Sequence, residues 1–173
     1  MIPTDYSDAL DEARWRLTGE VTRLAVAAFG KDAAKARPIF PGAETTAITA
    51  DPLPALWAAK QLQALAAAQI YRQAQHARSA GHSWQQIGET LQLPDTNGPL
   101  AEAAFEYFTD EPVSFSTPSF SWRCPASSCG NMITDHGPYE SHPDDCERGH
   151  APGCARHAAA LAAWQAAHDG DDW

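Results

Sequence analysis

The spacing of apolar residues predicts helices over most of residues 1–110. In the first block, apolar side chains recur at steps of seven, four, three and four residues, which places them on one face of a helix. They are Leu10, Leu17, Val21, Leu24 and Ala28. Gly30 follows and predicts the end of this helix, because glycine readily adopts the backbone conformation that terminates helices.

Turn-forming residues separate the next helical blocks. Prolines and a glycine at residues 38–42 predict a loop. A second, long helix is predicted from Pro52 to about Ser79, since proline is tolerated in the first helical turn. Ser83 and Gln86 have the spacing of a capping box and predict the start of a third helix. A short fourth helix is predicted over residues 100–109.

The pattern changes near residue 112. Residues 112–122 have no helical period, and serines alternate with prolines and aromatic residues. This composition predicts an extended, partly buried linker. We therefore predict a domain boundary here, between an α-helical domain over residues 1–111 and a smaller module over residues 112–173.

The net charge limits the partners of the chain. Twelve basic and 22 acidic side chains give a charge of −10, which argues against non-specific attraction to nucleic-acid backbones or anionic membranes. Residues 111–173 carry three basic and nine acidic side chains and so account for −6 of this charge. The remaining −4 lies on residues 1–110, where contact with DNA is less strongly excluded.

The compartment follows from what the sequence lacks. Its start has neither a basic segment nor an apolar stretch of the kind found in secretory signals, and no uninterrupted apolar run is long enough to cross a membrane. We therefore expect a cytoplasmic protein without membrane association. Thiols stay reduced there, so clustered cysteines are expected to be metal ligands rather than disulfides.

All four cysteines lie in the C-terminal module, and their surroundings predict a zinc site. Cys124 and Cys129, with Gly130 directly after, resemble a zinc knuckle, in which two thiolates lie at the tip of a β-hairpin. Further on, Pro152 is expected in the first turn of an alanine-rich helix. His150 and Cys154 would then lie at its N-terminus, where the helix dipole favours a thiolate.

A knuckle combined with two ligands from a helix start is similar to treble-clef-like zinc modules. We predict that Cys124, Cys129, His150 and Cys154 bind one Zn²⁺ tetrahedrally. With four protein ligands the site would be closed, and therefore structural rather than catalytic. Either Cys146 or His157 could replace one ligand, and free thiols or a disulfide are the alternatives to a metal site. Four nearby acids are either acceptors for a ligating histidine or simply solvated: Asp135, Asp144, Asp145 and Glu147.

No catalytic motif is recognisable in the chain. Nucleophile-elbow, phosphate-loop, dinucleotide-binding, zinc-protease and deaminase patterns are missing from the sequence. We therefore do not expect an enzyme.

Residues 77–91 read ARSAGHSWQQIGETL. This stretch resembles the first half of helix-turn-helix units in actinobacterial regulators, which often carry the pattern A-R-x-A-G-x-S-W-x-x-I-G-x-x-L. The resemblance implies a helical bundle with a helix-turn-helix-like core. Combined with the zinc knuckle, the chain resembles small actinobacterial regulatory proteins that carry a C-terminal treble-clef-like zinc knuckle, which implies a zinc-binding regulatory protein associated with DNA. Arg72, His76 and Arg78 on the preceding helix are the candidate contacts to nucleic acid.

A second function is compatible with the same sequence. The presumptive recognition helix, residues 100–108, has two glutamates and no lysine or arginine, so it would repel phosphates. The chain could instead be an acidic adaptor or inhibitor with a structural zinc site and no direct DNA binding. Its charge would speed encounter with a basic protein partner. Both functions are compatible with a homodimer.

Overall fold

The chain is mainly helical, with two small antiparallel sheets in the residues that are described. This confirms the predicted mainly α fold class. Contacts divide the chain into two compact units, Met1–Ile70 and Tyr71–Trp173. The computed structural model describes residues 6–94, 98–109, 117–139 and 142–168.

The first unit contains a long helix, a β-hairpin and the start of a second long helix. These elements are α1 (Ser7–Phe29), β1 (Ala34–Pro38), β2 (Thr46–Ala50) and the first part of α2 (Pro52–Ala80). Gly30 ends α1 as predicted, with a φ of 88° and its N–H on the carbonyl of Val26. The segment predicted as a plain loop is the turn of the hairpin, in which Pro38 pairs with Thr46 at the last position of β1. The flanking strands have no clear alternation of apolar and polar residues that would have revealed them.

Only part of the predicted apolar face of α1 is buried in the structure. Leu10 and Leu17 are exposed, whereas Val21 and Leu24 are half-buried and the neighbouring Ala25 is fully buried. Packing in this unit is therefore concentrated at the C-terminal half of the helix, where α1 meets the hairpin.

Ion pairs join the hairpin of the first unit to the residue that precedes α2. The Asp51 carboxylate pairs with Lys35 at 3.1 Å and also with Arg37. The hydrogen bond from Lys35 lowers the pKa of Asp51 below its ordinary value, and Arg37 adds to this effect.

The second unit combines short helices with a three-stranded sheet in the order β3-β4-β5. Ser83 caps α3 as predicted: its hydroxyl accepts from the Gln86 N–H at 3.2 Å, and the Gln86 side chain accepts from the Ser83 N–H at 3.0 Å. The elements are α3 (Trp84–Leu91), α4 (Leu100–Thr109), β3 (Phe120–Arg123), β4 (Met132–Asp135), α5 (Pro143–Cys146), β5 (Glu147–Arg148) and α6 (Ala155–His168).

One apolar core joins the α3–α4 pair to the sheet of the second unit. Trp84 of α3 and Phe105 of α4 belong to the same buried cluster as Phe120, Trp122 and Ile133 of the sheet. The Trp84 and Phe120 rings pack edge to face with centroids 5.1 Å apart. The contact-based division after Ile70 accordingly keeps α3, α4 and this sheet in one unit, and the boundary predicted near residue 112 lies outside the described residues. Phe120 and Trp122, at the end of the predicted linker, form the inner face of β3 instead, since alternate side chains of a strand point to the same side. The first part of the predicted linker, residues 112–116, lies outside the described residues.

Gly88 allows the close approach of α3 and α4. A Cβ atom at this position would lie 2.8 Å from the Cγ of Leu100 and 3.0 Å from its carbonyl oxygen. Helix α3 is followed by its C-cap residue Gln92, whose φ of 53° is in the left-handed region.

We expect Gly88→Ala to destabilise the second unit by about 1–3 kcal/mol, because the added methyl group cannot be accommodated without moving Leu100. Urea unfolding monitored by circular dichroism measures the change. Gly19→Ala is the matched control: this mid-helix glycine has no atom within 4 Å of an added Cβ. Its substitution should be neutral or stabilising by up to about 1 kcal/mol. Equal effects of the two substitutions would contradict the role given to Gly88.

Candidate metal centre

The first two candidate ligands lie at the tip of the β3–β4 hairpin. Cys124 directly follows β3, and its N–H donates to the carbonyl of Asn131 at 2.9 Å. The N–H groups of Cys129 and Gly130 both donate to the carbonyl of Ala126, at 2.8 and 3.1 Å. Gly130 has a φ of 66°, which a residue with a side chain adopts only with strain. This tight turn brings the two thiols to one side of the hairpin, as the knuckle pattern predicted.

The second pair of candidate ligands precedes α6. Cys154 is the last residue before the helix, and its carbonyl accepts from the Ala158 N–H at 2.9 Å. Its thiol therefore lies at the positive end of the helix dipole, as expected. Pro152 differs from the prediction: it lies in the turn before Cys154 and not in the first helical turn. His150 lies before this turn.

The structure brings the four predicted ligand residues together. One ligand atom from each of Cys124, Cys129, His150 and Cys154 lies within 4.8 Å of the others. The Nδ1 atom of His150 is 3.4 Å from the Cys154 sulfur and 3.8 Å from the Cys129 sulfur. The sulfurs of Cys124 and Cys154 are 3.8 Å apart. Three thiols and an imidazole in this arrangement could hold a metal ion, and we call them the Cys₃His cluster.

The pKa values of two of the thiols are shifted in opposite directions. Burial raises the pKa of the Cys124 thiol to about 11. The pKa of Cys129 is lowered to about 6, chiefly by a hydrogen bond from the backbone N–H of Ala151, which lies 3.3 Å from the sulfur. A metal ion binds thiolates, so it would compete with a proton mainly at the buried Cys124.

His150 has a carboxylate partner on the side of the ring that faces away from the thiols. Its Nε2 atom is 3.2 Å from an oxygen of Glu147, and its side chain is only 3% exposed. The other oxygen of Glu147 accepts from Arg78 at 2.7 Å. Of the four acids considered as acceptors for a ligating histidine, Glu147 is the one in contact with His150.

The other three acids have different partners. Asp144 is 2.7 Å from Nε2 of His157, and Asp145 pairs with Arg148 at 3.3 Å. Asp135 is fully buried and accepts from Nε of Arg78 at 2.8 Å.

Asp135 also accepts hydrogen bonds from uncharged donors in the core. The indole N–H groups of Trp84 and Trp122 lie 3.2 and 3.4 Å from its oxygens, and the Gly137 N–H lies 2.9 Å away. We call Arg78, Asp135 and Glu147 the Arg78 network. It is a continuous chain of ion pairs between the aromatic core and the Cys₃His cluster.

The two alternative ligands take no part in the Cys₃His cluster as the described residues define it. His157 stacks on His150 with ring centroids 4.7 Å apart, and its Nε2 atom faces Asp144. Cys146 ends α5, and its carbonyl accepts from the His136 N–H at 2.8 Å.

The three candidate contacts to nucleic acid are not equivalent. Arg72 and His76 are exposed on α2. Arg78 is only 8% exposed, and its guanidinium donates to Asp135, Glu147 and the carbonyl of His82. It is therefore not on a surface that a phosphate could reach, and the sequence-based assignment of Arg78 to nucleic-acid contact is corrected. Its position in the pattern ARSAG gave no signal of two carboxylate partners more than 50 residues away.

Comparison with known proteins gives no relative to guide the interpretation. No family model, curated protein or solved structure matches this chain. Among the described residues, no helix combines the length and apolar character needed to cross a membrane.

Proposed function

We propose that the Cys₃His cluster binds one Zn²⁺ as a structural site. Tetrahedral zinc with Zn–S bonds of about 2.3 Å separates two sulfurs by about 3.8 Å. The Cys124 and Cys154 sulfurs are 3.8 Å apart, so little movement is needed to accept the ion. Two of the thiols, Cys124 and Cys154, are buried, and a soft thiolate-rich donor set favours zinc over magnesium or calcium.

The proposed ion would stabilise the fold rather than perform chemistry. Four protein ligands leave no coordination position for a water or substrate. Zinc would join the hairpin tip at Cys124 and Cys129 to the start of α6 at Cys154, two segments that are far apart in sequence. Elemental analysis of protein purified without added chelator should give about one zinc per chain.

For the chain as a whole, we propose the role of an acidic adaptor or inhibitor that binds a protein. The observation that favours this over DNA binding is the burial of Arg78, which removes one of three candidate phosphate contacts. The exposed side of α4 adds Glu106 and Tyr107 and no cation. A net charge of −10 would accelerate association with a basic partner such as a nucleic-acid-binding protein.

Association with DNA is the second candidate. It is supported by the capped α3 helix and its close packing on α4 at Gly88, together with exposed Arg72 and His76 on α2. Such a function would use surfaces other than Arg78, or a dimer.

Binding assays at two salt concentrations distinguish the two candidates. We expect no shift of a random DNA duplex at low salt, and salt-sensitive binding to a basic protein, with a histone-like protein as the probe. A duplex shift that weakens steeply as salt rises would instead support the DNA candidate. Arg72→Gln should then reduce the shift, whereas Arg78→Gln would test only folding.

A further inference from the structure

We propose that Glu147 and Arg78 are positioning residues for the metal centre: Glu147 orients His150, and Arg78 of helix α2 holds Glu147. The affinity of the Cys₃His cluster for zinc would then depend on a helix that supplies no ligand. This inference rests on the zinc site proposed above and extends it to residues outside the ligand set.

The two nitrogens of His150 face different groups. Nδ1 points to the sulfurs of Cys129 and Cys154, at 3.8 and 3.4 Å. Nε2 lies 3.2 Å from Glu147. An imidazole that gives its Nδ1 lone pair to a metal carries its proton on Nε2, and that proton needs an acceptor. Because the His150 side chain is 3% exposed, bulk water is a poor substitute for Glu147 in this role.

Glu147 is itself held in place by cations. It belongs to a strand of only two residues, β5, which restrains a side chain weakly. One of its oxygens accepts from Arg78 at 2.7 Å and lies 3.7 Å from Arg156. The other oxygen is thereby left to face His150.

Arg78 is fixed on all sides of its guanidinium. Nε donates to Asp135 at 2.8 Å, Nη1 to the carbonyl of His82 at 2.7 Å, and Nη2 to Glu147. The planar group also lies over the Trp84 ring, 5.1 Å from its centroid. Because all three nitrogens of the planar Arg78 guanidinium donate hydrogen bonds, the group fixes the position of Glu147. The flexible ammonium group of a lysine would not do so.

Because Arg78 acts on His150 only through Glu147, its effect on zinc affinity must vanish when Glu147 is absent. This requirement separates a positioning role from a general contribution to folding. Two residues that act independently would give losses that multiply, whereas residues acting in series give a double variant no weaker than the worse single variant.

The test measures zinc affinity of the full chain by competition with a chromophoric chelator, with the visible spectrum of the Co²⁺ form as a second readout. We expect Glu147→Ala to bind zinc 10–100-fold more weakly, the usual effect of removing an outer-shell partner of a ligand. Glu147→Gln keeps an oxygen for His150 and should recover part of this loss. Arg78→Lys should weaken binding at least threefold, and combining it with Glu147→Ala should cause no further loss.

Two exposed positions serve as controls: Arg72→Lys on the same helix and Glu89→Ala on α3 should bind zinc as the wild type does. The Co²⁺ spectrum should change in the Glu147 and Arg78 variants but not in the controls, since it reports ligand geometry. If Arg78→Lys does not fold, Glu147→Gln decides, because it breaks the ion pair with Arg78 while retaining an acceptor.

Several outcomes would overturn the inference. Affinity of Glu147→Ala within twofold of wild type would remove the role of Glu147. Wild-type affinity in Glu147→Gln, or losses that multiply in the double variant, would remove the role of Arg78 in series with it. These results differ from failure of the proposed function itself, in which the wild-type chain would bind no zinc at all.

Discussion

Removal of the proposed zinc ion is expected to abolish the order of the hairpin tip and of the start of α6. Structural zinc contributes about 10–16 kcal/mol of apparent binding free energy in zinc-finger peptides, which is comparable to the total stability of an ordinary domain. In this chain the ion would bridge the four ligand atoms, among them the sulfurs of Cys124 and Cys154, which lie 3.8 Å apart. The second unit should therefore unfold at a much lower denaturant concentration after chelation.

Amide hydrogen exchange with and without a chelator measures this effect segment by segment. Protection should be lost first around Cys129 and Ala151, whose N–H groups form the turn and the bond to sulfur. Cys154→Ser should reproduce the effect of the chelator.

Cys146→Ser is the matched control for the cysteine substitution, because Cys146 lies outside the Cys₃His cluster in the described structure. This variant should retain about one zinc per chain and the protection pattern of the wild type. Full zinc occupancy in Cys154→Ser, or metal loss in Cys146→Ser, would contradict the assigned ligand set.

Asp135→Asn should destabilise the second unit by about 3–5 kcal/mol, the usual cost of breaking a buried ion pair by neutralising one partner. Asp135 is fully buried, and the substitution leaves the Arg78 guanidinium with a single carboxylate. The new amide group also places donor hydrogens where the indole N–H groups of Trp84 and Trp122 require acceptors. Chemical denaturation followed by tryptophan fluorescence measures the loss.

Asp145→Asn provides the comparison. Asp145 is half-exposed and pairs with Arg148 at 3.3 Å, an interaction worth about 1 kcal/mol or less at a surface. The two substitutions make the same chemical change in the same unit, so the difference between them isolates burial. A loss below about 1 kcal/mol for Asp135→Asn would show that the Arg78 network contributes little to the stability of the core.

The helices and the ligand set were predictable because their signals are local. Ser83 and Gln86 satisfy each other within one turn, and Gly30 ends α1 at its own position. Likewise, Cys124 and Cys129 are joined by a single tight turn, while His150 and Cys154 are separated by another. In each case the physical interaction lies within a few residues, so the spacing in the sequence carries it.

Other features could be identified only from the folded structure. The aromatic residues of β3 look like a linker in the sequence because the strand is short and its partner, β4, begins nine residues further on. The hairpin of the first unit has no strong alternation of apolar residues. Nothing local distinguishes a domain boundary near residue 112 from a strand that completes an existing core.

The amino-acid sequence by itself determined the mainly helical class, the positions of the longer helices and the four residues that converge on one possible metal site. Only the tertiary structure decided the fate of Arg78, which was a candidate DNA contact in the sequence and is a buried ion-pair partner in the fold. The reason is that its carboxylate partners lie 57 and 69 residues away. The sequence around a charged residue does not show whether its side chain will contact solvent or another charge. That outcome depends on how the chain packs, and here packing placed Arg78 between the aromatic core and the Cys₃His cluster.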